Sequence, residues 1–352
     1  METPPSYLGE TYALLAACSW AIALIFFKRS GVNVSPMPLN LFKNVVGIVL
    51  LSIAFFFVSP EEQSMASMTS TEITLLAISG ILGIAFADTL LFFSLNKIGV
   101  GLLAIVECSY APLMIFFAWL MAGEHVSGTT VIGGLLVISA VFVATGRSKG
   151  PSPDADADRQ DADNAKLPVN DQVSRKDLIE GVVVGVLAIA LMAIGIAMVK
   201  STIESAPLLP VTIIRLVAGS VVLAAIMGIH RRRREWFGVF IPSWKLWTTC
   251  IPAGFFGTFL ALMFWVGGFK YTTAARAAIL NQTSTIMALI FATIFLKEAF
   301  TKRKFAAAIM AFLGVLVVTL GQAGNADKGG TPHAAAVDVA ASDKLAVGSA
   351  TE

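Results

Sequence analysis

The sequence predicts an all-α integral membrane protein of ten transmembrane helices, folded as two inverted five-helix repeats. Three observations carry that prediction. The 352 residues are 56% hydrophobic and only 14% charged, more apolar surface than a soluble chain of this length could bury against itself. Residues 104 to 124, AIVECSYAPLMIFFAWLMAGE, form an apolar stretch of about 20 residues, the length that carries a helix across the hydrocarbon core of a bilayer. That stretch is written again as AILNQTSTIMALIFATIFLKE, and a constant shift of 174 superposes Ala104 on Ala278, Ala118 on Ala292 and Glu124 on Glu298.

The first half contains apolar runs over roughly 11–28, 38–58, 74–95, 100–121 and 128–146, each long enough to span. The first run follows METPPSYLGE, which holds no Lys or Arg. A secretory signal opens with a basic region, so this run is expected to be a retained span. The second half repeats the count over roughly 178–200, 209–228, 246–268, 274–296 and 303–322. Backbone in lipid must satisfy its own hydrogen bonds, and barrel strands would be shorter and alternating, so every run is expected to be a helix. The expected units are a first repeat over 1–146, a flexible polar linker over 147–177, a second repeat over 178–322 and a disordered tail over 323–352. The linker is rich in Asp, Pro, Gly and Ser, and the tail in Ala, Gly and Asp; neither has apolar periodicity.

A second repeat signal lies in the opening helices of each half. A shift of 172 pairs Lys28 with Lys200, Pro38 with Pro210, Lys43 with Arg215 and Gly47 with Gly219, while 174 pairs Gly80 with Gly254 and Gly83 with Gly257. An odd number of helices per copy forces the second copy to enter from the opposite face, as in many secondary transporters.

These features resemble the drug/metabolite transporter superfamily, specifically its ten-helix EamA-type (RhaT-like) members. The resemblance covers about 8–322 and is carried by SWAIALIFFKRSG, by the proline and following basic residue of PLNLFK and PVTIIR, and by FFSLNKIGVGLLAIVECSYAP and FKYTTAARAAILNQTS. The closing blocks MAGEHVSGTTVIGGLLVISAVFVATG and LKEAFTKRKFAAAIMAFLGVLVVTLG complete it. It implies export or exchange of small metabolites. The family often has a proline in both central helices, whereas Pro112 here has Ile286 as its counterpart, so the halves are expected to bend unequally.

Charged side chains in hydrocarbon are costly and usually face the bundle interior. Asp88, deep in GIAFADTLLFF, is either a structural Asp bound to a neighbour such as Lys43 or a substrate or proton site. A carboxylate in low dielectric favours its neutral form unless a cation or hydrogen bonds hold the charge, which is what suits it to carry a proton. Glu107 lies two turns into the fourth span, with Leu103, Tyr110, Ala111 and Met114 on its face by helical spacing; its repeat counterpart is Asn281. Pro112 removes the amide that would bond the Cys108 carbonyl and is expected to kink the helix near Glu107. Lys43 and Arg215 either approach the membrane centre from opposite faces or snorkel to the headgroups. Lys28 and Lys200 are expected to snorkel and to complement their own helix C-termini. In NQTST, Asn281 and Gln282 either bind substrate or join helices. Trp20, in register with Leu24, either lines the cavity or packs. Glu124 and Glu298 are expected to close their spans at the interface.

Together these residues suggest a secondary transporter of a small polar metabolite, amino-acid-like or an organic anion, with protons as the candidate coupling ion. The alternative is a non-transporting receptor or partner subunit whose polar residues only join helices. A net charge of +2 offers no basic face for nucleic acid. His125, His230 and His333 are scattered, and neither a zincin motif, a nucleotide-binding glycine loop nor a nucleophile elbow occurs, so no enzyme activity, cofactor or metal is expected. Cys18, Cys108 and Cys250 read as packing residues. The expected partners are the lipid bilayer and a small-molecule substrate, and the expected location is the cell (inner) membrane. Arg231 to Arg234, the basic residues of the linker and Lys302 to Lys304 gather in odd-numbered loops, which places those loops in the cytoplasm and both termini outside. The family resemblance implies the reverse.

Overall fold

The computed structural model describes residues 7–59, 68–122, 128–145, 174–199, 202–203, 206–241, 243–271, 280–299 and 301–326. Among them every regular element is helical. They form α1 (Leu8–Gly31), α2 (Pro36–Phe55), α3 (Ser70–Glu107), α4 (Tyr110–Ala122), α5 (Gly128–Thr145), α6 (Arg175–Ala197), α7 (Leu208–Ile229), the short α8 (Arg233–Phe237), α9 (Trp244–Tyr271), α10 (Thr283–Leu296) and α11 (Lys302–Ala326). Among the described residues, six helices are long and apolar enough to cross a membrane. Phe57, Phe142, Ile229 and Trp244 stand 73–87% exposed on the outside, a surface that suits lipid rather than water. The chain is a multi-pass membrane protein.

Local chemistry starts and bends these helices. Pro36 opens α2 after Ser35, where its missing N–H has no partner to lose. Thr69 and Glu72 form a reciprocal cap at the start of α3, with Thr69 N donating to Glu72 Oε2 at 2.8 Å and Glu72 N to Thr69 Oγ at 3.3 Å. α3 runs 38 residues to Glu107, about 57 Å at helical rise and nearly twice a hydrocarbon core. It therefore cannot be one straight span, and it breaks at Gly99, whose φ of 79° is a conformation that suits glycine.

The third and ninth helices share a second irregularity. A π-helical turn covers Ile81–Ala87 in α3 and Phe255–Leu260 in α9, and the shift of 174 superposes their first residues. Wide turns leave carbonyls without their usual amides. In α3 the Asn40 side chain of α2 accepts that role, donating to the Ile84 and Ala85 carbonyls at 2.7 and 3.3 Å.

Contacts between the halves come in reciprocal pairs. A Cβ on Gly80 would stand 2.7 Å from the Arg215 Cα, and one on Gly254 would stand 3.2 Å from the Lys43 carbonyl. Gly219 packs on Ile84 and Gly47 on Thr258; Gly195 packs on Gly83 and Ala23 on Gly257. Each member of a pair maps to the other under the sequence shifts. Small residues at these crossings let helix backbones meet without side chains between them. α5 and α11 cross the same way, through Gly133 and Gly314.

Several sequence expectations change. The fourth apolar run is two pieces, Val100 to Glu107 and α4, separated at Cys108 and Ser109. There the amides of Cys108 and Ser109 turn back to Ile105 and Val106 at 3.2 and 3.0 Å, the tighter bonding found at a helix end. The face drawn through Glu107, Tyr110, Ala111 and Met114 is therefore interrupted. The halves do not bend in the fourth span alone: α10 begins only after a turn at Gln282, the repeat counterpart of Cys108, without a proline. Residues 175–177 of the expected linker and 323–326 of the expected tail are helical, because their helices run on past the apolar stretch. Residues 147–173 of the linker, the rest of the tail, Glu124 and Lys200 lie outside the described residues.

Candidate functional site

Where α1, α2, α3, α4 and α7 converge, the sequence places four ionisable side chains of both signs. In α2, Asn40, Lys43 and Asn44 follow at i, i+3 and i+4 and so share a face. Lys43 is 6% exposed and does not reach the headgroups. Its Nζ donates to Asp88 Oδ2 and to Asn44 Oδ1, both at 2.8 Å, and stands 5.7 Å from the Phe92 ring centre. The Asp88 side chain is 14% exposed. The ion pair is thus well made and nearly dry, and two further contacts satisfy the ammonium.

The second half supplies the other cation without its carboxylate. Arg215 of α7 occupies the place equivalent to Lys43, but the position equivalent to Asp88 is Leu262, packed among Leu51, Leu209 and Leu216. Among the described residues Arg215 has no ion pair, and its buried Nε has no hydrogen-bond partner. Tyr110 and Asp88 are within electrostatic range of it. Gly83 leaves it room, since a Cβ there would stand 3.5 Å from Nη2. A half-buried guanidinium with an unfilled donor is a place for an anionic group to bind.

Glu107 closes α3 just before the break. Trp20 of α1 donates its indole N–H to Glu107 Oε2 at 3.3 Å, so Trp20 is a hydrogen-bonding partner of the carboxylate as well as a packing residue. The ring of Pro112 sits one turn beyond the interruption. Asn281 and Gln282, half-buried at the start of α10, make no side-chain hydrogen bond among the described residues. Thr285 instead joins the two broken helices, its Oγ lying 3.4 Å from both the Ala104 carbonyl and Cys108 Sγ.

One face of the bundle is tied by charges at the Gly99 break. Lys28 of α1 donates to the Leu95 and Asn96 carbonyls, both at 2.9 Å, so it complements the end of a neighbouring helix segment and not its own. Glu298, after α10, accepts from the Val100 and Gly101 amides at 2.8 and 3.1 Å. A cation on the carbonyls and an anion on the amides match the dipoles of the two segments that meet at Gly99. Arg29 adds a bond to the Phe295 carbonyl at 3.0 Å.

Asn40, Asn44 and Glu298 have roles the sequence reading missed. The spacing of Asn40, Lys43 and Asn44 inside an apolar span was the available signal for the first two. Nothing local to Glu298 points to amides almost two hundred residues away.

The EamA-like transporter family matches residues 7–146 and 179–320. A curated relative, the "Uncharacterized transporter YoaV" of Bacillus subtilis (strain 168), is 28% identical over 137 residues, 39% of this chain and 46% of that protein. The chain thus matches about half the length of that relative. A solved structure, titled "Crystal structure of protein", shares the fold at a TM-score of 0.56 and 15% identity, covering 90% of this chain and 96% of that one.

Proposed function

The chain belongs to the EamA-like transporter family, and from that membership we propose that it is a secondary active transporter, an exporter or exchanger of a small polar metabolite. The ten spans are read as two inverted five-helix repeats over 1–146 and 178–322 that give alternating access to the site between them, in the cell membrane. Reciprocal packing of Gly80 on Arg215 and of Gly254 on Lys43 supports that arrangement, because inverted repeats exchange equivalent contacts across their interface.

One observation carries the substrate class. Each half contributes a cation, but among the described residues only Lys43 of the two has a carboxylate partner, which leaves the Arg215 guanidinium for the anionic end of an amino acid or organic anion. Glu107, Tyr110, Asn281, Gln282 and Trp20 offer the polar groups for the remainder. Asp88 and Glu107 are the candidate proton carriers.

The test is transport by purified protein in liposomes, against a panel of amino acids and organic anions, with and without a pH gradient. Counterflow of an anionic or zwitterionic substrate that falls in Arg215→Gln supports the reading. Substitution of Asp88 and Glu107 by their amides is expected to abolish gradient-driven accumulation while leaving the protein folded. Transport of cations only, or unchanged proton-driven flux in both amide variants, would sink the respective assignment.

A further inference from the structure

Between α2 and α7, the second helix of each half, runs a shallow outward-facing groove of about 480 Å³. Leu41 and Val45 form one wall, Val217 and Val221 the other, and Phe237 and Phe240 close one end. Val221 is 61% exposed. The lining is almost wholly apolar, with only the Ser220 hydroxyl nearby, and that hydroxyl is engaged by the Leu216 carbonyl at 2.6 Å. It offers nothing to a polar solute and suits a hydrocarbon chain.

The closed end carries charge. Phe237 is the last residue of α8, which begins at Arg233 and follows the run Arg231 to Arg234. Arg232 is engaged internally: it donates to both Glu235 oxygens, at 2.9 and 2.5 Å, and holds that carboxyl below its ordinary range. Arg231, Arg233 and Arg234 are exposed and have no ion pair among the described residues. Trp236, stacked on His230 with ring centres 4.0 Å apart, fixes the short helix at the end of α7. A basic segment with aromatic anchors, set beside an apolar groove, has the composition of an interfacial element that meets charged headgroups.

We propose that this groove and its arginine rim form a binding site for one anionic phospholipid, an acyl chain lying between α2 and α7 and the phosphate meeting Arg231, Arg233 and Arg234. The site is separate from the Lys43 and Arg215 cluster and does not depend on what the protein transports. It joins the two halves at their second helices, so an occupying lipid would bridge them.

The full-length protein in detergent is titrated with phosphatidylglycerol or phosphatidylcholine, and bound lipid is counted by native mass spectrometry. Phosphatidylglycerol is expected to bind with a single site at least tenfold tighter than phosphatidylcholine, since each arginine near an anionic headgroup contributes about a fivefold effect. Replacing Arg231, Arg233 and Arg234 together by Gln should remove that preference. Val221→Trp, which fills the groove and leaves the arginines intact, should remove it too, and serves where the triple variant folds poorly. Equal binding of the two lipids by the wild type would overturn the proposal and leave the arginines as a topological signal. Loss in the triple variant with full binding in Val221→Trp would also overturn it, because the site would then take phosphate without a chain.

Discussion

The Lys43 and Asp88 pair allows the sharpest test of how the site is built. Its side chains are 7% and 14% exposed and meet at 2.8 Å, so removing either partner leaves a desolvated charge without its counter-ion. Such losses cost about 3–5 kcal/mol, whereas replacing both partners by apolar residues of similar size is often neutral. Lys43→Met and Asp88→Leu should therefore each lower stability by that amount, and the double variant should recover most of it. At about 1.4 °C per kcal/mol for a chain of 352 residues, each single variant should melt roughly 4–7 °C below the wild type, measured by tryptophan fluorescence in a mild detergent. Asn44 Oδ1 and the Phe92 face would remain beside a lone Lys43, so Asp88→Leu is expected to be the milder of the two. Single variants each costing less than about 1 kcal/mol, with no coupling in the double-mutant cycle, would refute the claim that the pair is dry and tightly made. The stable double variant then separates structure from transport: it should fold yet fail to accumulate substrate on a proton gradient.

Four further outcomes test other parts of the structure. Glu298→Ala removes two charge-assisted bonds to the Val100 and Gly101 amides and should destabilise by roughly 3–6 kcal/mol, summed from about 1.5–3 each; a change under 1 kcal/mol in chemical unfolding would show the bonds to be replaceable by water. Gly99→Ala meets both a φ of 79° and the Glu298 carboxylate 2.7 Å from the new Cβ, so a cost above about 1 kcal/mol is expected, and an unchanged melting point would contradict the kink. Arg215→Gln should weaken an anionic substrate in a binding assay by tenfold or more, as loss of a charged hydrogen-bond partner of about 1.5–3 kcal/mol implies, while Lys28→Gln should lower stability with little change in affinity; the reverse pattern would move the binding site to the Gly99 face. A reporter fluorescent only in the cytoplasm and fused to the C-terminus should stay dark if the arginine-rich loops are cytoplasmic, and bright cells would establish the opposite orientation.

The solvent, the helical character of the chain and its repeat were legible in the sequence alone. Runs of apolar residues about 20 long are a local property, and equivalent residues 172 or 174 positions apart are visible by shifting the chain on itself. The sequence also singled out Lys43, Asp88, Glu107 and Arg215, because a charge inside such a run is conspicuous whatever surrounds it. What it left open was which charge meets which. Asp88 lies 45 residues from Lys43 and Glu107 lies 87 from Trp20, and no local pattern encodes a pairing across helices. The loss of continuity at Cys108 and Gln282, the wide turns at Ile81 and Phe255, and the capping of Gly99 from two other helices were likewise decided by packing. Each requires backbone groups freed in one helix to be answered by side chains of another, and in a medium without water only the assembled bundle can supply them.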